Sequence, residues 1–122
     1  MTATMPARSP SADRPLLVLR TSVPEPAVVE IAASGDVDMS TSPQLREAIV
    51  EALDAHRPQR VTVDLADVAF VDSSGLSALM YCRNIAERDG ITLRVTAAQP
   101  LVRRVFMITG LVDVLLEPAD RP

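Results

Sequence analysis

The sequence predicts a single α/β domain built on a mixed sheet of four or five strands with flanking helices. Two observations carry this expectation. Apolar segments with a two-residue period alternate along the chain with segments of helical period, and the first two strand-like segments follow one another with a proline-bearing turn between them. Alternation of strand and helix implies parallel strands joined by right-handed crossovers, while a strand–turn–strand start adds a hairpin.

Leu16 to Arg20 is a short apolar run and reads as the first strand. Thr21 to Pro26 holds two prolines and reads as a turn. Ala27 to Ala33, with Val28, Val29 and Ile31, reads as the second strand, broken by Ser34-Gly35-Asp36. Ser42-Pro43 signals a helix start, Ser at the cap and Pro at the first helical position. Leu45, Ala48, Ile49, Ala52 and Leu53 then share one helical face, and Pro58 stops the helix after Arg57. Arg60 to Leu65 alternates as a strand, and Val68, Phe70 and Val71 extend its apolar signal to Asp72. Leu76 to Arg88 reads as a second helix, closed by Asp89-Gly90. Ile91 to Thr96 alternates as a strand with one wetter face. Pro100 opens a third helix with Leu101, Val102, Val105, Phe106 and Ile108 as its apolar residues, and Gly110 closes it. Leu111 to Leu116 is a last apolar element, readable as strand or as helical turn. The domain is expected over residues 16–117, between a disordered tail (1–15) and a flexible tail (118–122).

Composition bounds what such a domain can do. The chain has 122 residues and a hydrophobic fraction of 48%, enough to build a core, but aromatics supply 2%, so the core rests on Val, Leu, Ile and Ala. The net charge of -4, with arginines scattered, lacks the basic patch that direct nucleic-acid binding needs. One cysteine, Cys82, forms no intrachain disulfide, and a single His with a single Cys does not make the usual four-ligand zinc site. No apolar run reaches the ~20 residues that cross a bilayer, and the first fifteen residues lack a secretory apolar stretch, so a cytoplasmic protein without membrane insertion is expected. No glycine-rich phosphate loop is present, so neither a nucleotide nor another cofactor is expected.

The segment Phe70-Val71-Asp72-Ser73-Ser74-Gly75-Leu76 is the most informative. An apolar strand runs into a small polar turn that opens a helix, where N–H groups are unpaired and the dipole is mildly positive. A hydroxyl there caps the helix, and a phosphate there is well accommodated. Position alone favours plain capping by Ser73 or Ser74. Asp36 and Asp38 flank the first helix; two carboxylates there could assist a partner's Mg²⁺–nucleotide site, or simply form a turn with favourable charge at a helix start. Asp72 could orient Ser73 or be a turn residue. Serine hydrolysis lacks support: the lone His56 lies near the end of the first helix, and no Gly-x-Ser-x-Gly elbow surrounds Ser73. Cys82 falls mid-helix and reads as a buried structural thiol; Met39 and Met80 read equally as core or contact residues.

The same seven residues resemble the phosphorylation-site motif of bacterial anti-sigma-factor antagonists of the STAS superfamily. Gly35-Asp36-Val37-Asp38 resembles that family's turn before the first helix, and Val61-Thr62-Val63-Asp64-Leu65-Ala66-Asp67-Val68 resembles its central strand. Pro100 to Phe106, with Thr109-Gly110-Leu111, resembles its C-terminal helix. The resemblance covers Val18 to Leu116; it departs at Ser77, where the family often has Gly. It implies a STAS-type sheet and a non-enzymatic role. Its partners would be an anti-sigma factor that is a GHKL-type serine kinase, and a PP2C-type phosphatase. Ser73 would be the phosphoacceptor, with Asp36, Asp38, Asp72, Ser74, Gly75, Leu76 and Ser77 in partner binding. STAS domains also serve unswitched, in membrane lipid-transport complexes, which is the alternative reading.

Overall fold

A computed structural model describes residues 17–121; the expected N-terminal tail and Leu16 lie outside the described residues. Four strands, β1 (Leu17–Glu25), β2 (Val28–Val37), β3 (Arg60–Val71) and β4 (Thr92–Thr96), lie side by side in that order. β1 and β2 form an antiparallel hairpin, and β2, β3 and β4 are parallel. Helices α1 (Ser42–His56) and α2 (Ser73–Arg88) make the crossovers, followed by α3 (Pro100–Thr109) and α4 (Val112–Leu115). The mixed four-stranded sheet with flanking helices is the predicted architecture. The element left open at Leu111 to Leu116 is the helical turn α4, ending in a one-residue parallel bridge from Leu116 to Val95.

The two-residue period sorts the strands into faces. Val29, Ile31 and Ala33, Val61, Val63 and Leu65, and Leu93 and Val95 are buried on one face. Leu45, Ile49 and Leu53 of α1, Leu79 and Cys82 of α2, and Val102 and Phe106 of α3 complete the same core. Since the strand order runs straight through, same-handed crossovers place the helices on one side. The opposite face carries Arg20, Glu30, Thr62, Asp64 and Arg94 and stays wet.

Three local expectations are corrected. Ser34-Gly35-Asp36 does not break β2: the strand continues to Val37 through register shifts against β3, with Gly35 at φ 122 absorbing the irregularity. Thr21 to Pro26 is not a turn throughout, because β1 runs on to Glu25. The cap of α1 is Thr41, one residue before the Ser42 the sequence suggested. Beyond α4 a 3₁₀ turn spans Pro118–Asp120. Arg121 hydrogen-bonds the Leu116 carbonyl (3.2 Å) and pairs with Asp113 (3.3 Å), and Glu117 pairs with Arg60.

Candidate functional site

The loops that leave β2 and β3 lie next to each other, because the parallel ladder carries on to their last residues: Asp36 opposes Phe70 and Val37 opposes Val71. The Asp72 N–H then donates to the Val37 carbonyl at 3.1 Å, locking the second loop to the first. Both helices start here, at the carboxyl ends of the parallel strands, on connections free to carry function.

In the first loop, Asp38 organises the turn. Its Oδ1 accepts from the Ser40 N–H (2.9 Å), the Ser40 hydroxyl (2.7 Å) and the Thr41 N–H (3.1 Å). The Ser40 hydroxyl is the main cause of a carboxyl held below its ordinary 3.8, with the backbone and Thr41 bonds adding to it against a desolvation that raises it. Thr41, buried, returns its hydroxyl to the Asp36 carbonyl at 2.8 Å. Asp36 and Met39 project outward, Met39 with 77% of its surface exposed.

The second loop changes the capping assignment. The N-cap of α2 is Asp72: its Oδ1 accepts from the Ser74 N–H (2.8 Å) and the Gly75 N–H (3.2 Å). Neither serine hydroxyl caps the helix, which begins at Ser73, three residues earlier than the apolar pattern indicated. Ser73 is exposed, and its hydroxyl has no hydrogen-bond partner among the described residues. Gly75 is there for close approach: a Cβ would stand 2.7 Å from Cγ1 of Val37 and 2.9 Å from Cγ1 of Val71. The residues singled out from sequence thus divide. Asp36, Ser73 and Ser77 are exposed, Asp38, Asp72 and Ser74 are half-buried, and Gly75 and Leu76 are buried and pack the helix onto the sheet. Ser77 is one helical turn beyond Ser73 and shares its face.

Among the exposed apolar residues that the sequence does not mark as surface are Phe70 (50%), Leu101 (68%), Met107 (53%) and Ile108 (77%). The signal available was the apolar periodicity of α3, which cannot say which stripe faces inward. Cys82 is fully buried, and burial pushes its thiol up to about 12. Among the described residues, no group of three His, Cys, Asp or Glu side chains could hold a metal ion, and no helix is long and apolar enough to cross a membrane. The geometry offers an exposed Ser73 hydroxyl at the head of α2, next in sequence to the capping Asp72.

Fold and site together define a small α/β domain with the Asp36 and Ser73 loops side by side at one end of a mixed sheet. A family model described as "Mlab, STAS domain" matches residues 22–117, and the chain belongs to the STAS domain family. It is similar to the anti-sigma-B factor antagonist of Bacillus subtilis (strain 168), 28% identical over 87 residues that cover 71% of this chain and 78% of that protein. A solved anti-sigma factor antagonist from Mycobacterium paratuberculosis superposes with a TM-score of 0.73 at 29% identity, covering 84% of this chain and 86% of that one. SpoIIAA in its unphosphorylated form shares the fold, with a TM-score of 0.71 at 21% identity over 81% of this chain and 86% of that one.

Proposed function

We propose that this chain is an anti-sigma-factor antagonist that acts by binding, not catalysis. Unphosphorylated, it binds an anti-sigma factor that is a GHKL-type serine kinase and so frees a sigma factor. Phosphorylation of Ser73 ends the binding, and a PP2C-type phosphatase restores it. One observation carries the reading: Asp72 does the capping, which leaves the Ser73 hydroxyl exposed and without a partner among the described residues at the head of α2. The names of the similar proteins support the same role.

The structure alters the expected mechanism. A phosphate on Ser73 does not find a vacant set of helix N–H groups, since Asp72 already holds those of Ser74 and Gly75. The modification therefore adds about -1.5 to -2 charges beside an existing carboxylate. In the free chain water screens that cluster. Against a closely fitting partner it must be desolvated, and a penalty of only ~3 kcal/mol weakens binding more than a hundredfold.

The test is incubation of the chain with GHKL-type serine kinases from its own genome and ATP. Phosphate on Ser73, lost in Ser73→Ala and kept in Ser74→Ala, is expected by mass spectrometry, with Ser73→Asp folded but unable to bind. Phosphate on Ser74, or stable co-purification with an ATPase–permease in the absence of phosphorylation, would overturn the reading.

A further inference from the structure

Helix α3 carries two apolar stripes where its packing uses one. Val102 and Phe106 face the core and are buried. Leu101 and Ile108, one helical repeat of seven apart, remain 68% and 77% exposed, with Val105 half-buried between them. Together with Ala69, Phe70 and Val71 at the end of β3, these residues line a groove of about 260 Å³ that also takes in Arg104. Phe70, Leu101 and Ile108 thus expose apolar surface around one groove instead of standing singly. Its wall is the stretch of β3 that leads directly into Asp72 and Ser73.

We infer that this groove is the second half of the partner surface, and that it receives an amphipathic, acidic-flanked helix of the anti-sigma factor. The inference rests on the reading given under Proposed function. Charge selects the occupant. Arg103 and Arg104 lie on α3, which has no carboxylate, and Arg104 has no ion-pair partner among the described residues. A second copy in two-fold contact through α3 would face Arg104 with its own equivalent. The chain's own first sixteen residues, with Arg8 and Arg14 against Asp13, carry side-chain charge of the same sign as Arg104 and so offer it no complement. A helix with apolar side chains at spacings of three and four, and Asp or Glu beside them, satisfies both the groove and its arginine.

The experiment measures binding of the full chain and its variants to each purified GHKL-type serine kinase of the same genome. Leu101→Asp and Ile108→Asp are each expected to weaken binding at least tenfold, which is about 1.4 kcal/mol. Arg104→Glu should weaken it severalfold, with an effect that shrinks as salt rises. Val18→Asp, 45% exposed on the edge strand, should leave binding unchanged. Circular dichroism checks folding, with Leu101→Gln and Ile108→Gln as milder substitutes. If the groove variants bind like wild type while Ser73→Asp does not, the groove assignment is overturned and the switch stands. If the groove variants lose binding while Ser73→Asp keeps it, the groove is upheld and the switch falls. A wild-type dimer by sedimentation that Ile108→Asp dissociates assigns the groove to a second copy and overturns the proposal, and the absence of any binding kinase overturns both readings.

Discussion

A carboxylate holds the start of α2 at position 72, and this settles what the neighbouring hydroxyls are free to do. With two N–H groups bound to Asp72, Asp72→Ala should cost about 1 kcal/mol in urea unfolding, the usual value of a lost N-cap. Ser73→Ala should stay within about 0.5 kcal/mol of wild type, since its side chain is exposed and has no hydrogen-bond partner among the described residues. The opposite ranking would return Ser73 to a capping role. Gly75 poses a contest of two effects. Alanine gains roughly 1 kcal/mol of helix propensity over glycine. Here its methyl would meet two stiff valine side chains at 2.7 and 2.9 Å, and overpacking of that kind costs about 1–3 kcal/mol. Gly75→Ala should therefore destabilise on balance. In combination with Val37→Ala the loss should fall short of the sum by ~1 kcal/mol, since the two positions touch. Strict additivity would mean that the methyl fits.

At the scale of elements, periodicity located every strand and the three long helices, because core-facing residues at Val61, Val63 and Leu65 or at Leu45, Ile49 and Leu53 repeat with the right spacing. The boundaries were less legible. β2 passes through Ser34-Gly35-Asp36 because cross-strand bonding to β3 outweighs the local turn preference of those residues. The helix that follows β3 begins with three small residues that carry no apolar signal, so its true start needed the Asp72 geometry. Two stripes on the ten residues of α3 are indistinguishable without its neighbours. The proximity of the Asp36 and Ser73 loops follows from parallel pairing of β2 with β3, a long-range fact that local spacing does not encode. One element end also leaves room for improvement. α1 closes at Arg57 in the left-handed region, φ 45, where a side chain costs roughly 1–2 kcal/mol. Arg57→Gly relieves that strain and forfeits part of the gain to the freer unfolded chain, so a net stabilisation of about 0.5 kcal/mol is expected in thermal melts.

For the whole molecule, Cys82 reports on the integrity of the shared core between α1, α2 and the sheet. Its thiol is inaccessible, and it titrates at about 12 against an ordinary 9.0. Native protein should thus resist thiol reagents near pH 8, and labelling should begin only with opening of the core. The sign of the pH effect follows. Below pH 9 the thiol is neutral in both folded and unfolded chains and contributes nothing; between about 9 and 12 the unfolded chain alone loses the proton, so stability falls as pH rises. Cys82→Ala should flatten that alkaline limb, and an unchanged slope would assign it to other groups.

The half-exposed ring of Phe70 also has an optical consequence. The chain has no tryptophan, and its one tyrosine, Tyr81, lies on the helical side beneath the Arg46 guanidinium at 5.6 Å. Intrinsic emission is therefore nearly silent at the loops. A single indole at position 70 would change this: Phe70→Trp places a fluorophore in water at the rim of the groove, three residues from the serine, without disturbing the core. Its emission should lie to the red in the free chain, shift to the blue when a partner covers the rim, and stay red when Ser73 carries a charge that keeps the partner away. A spectrum that stays red when partner is added to the unmodified chain would place docking elsewhere on the molecule.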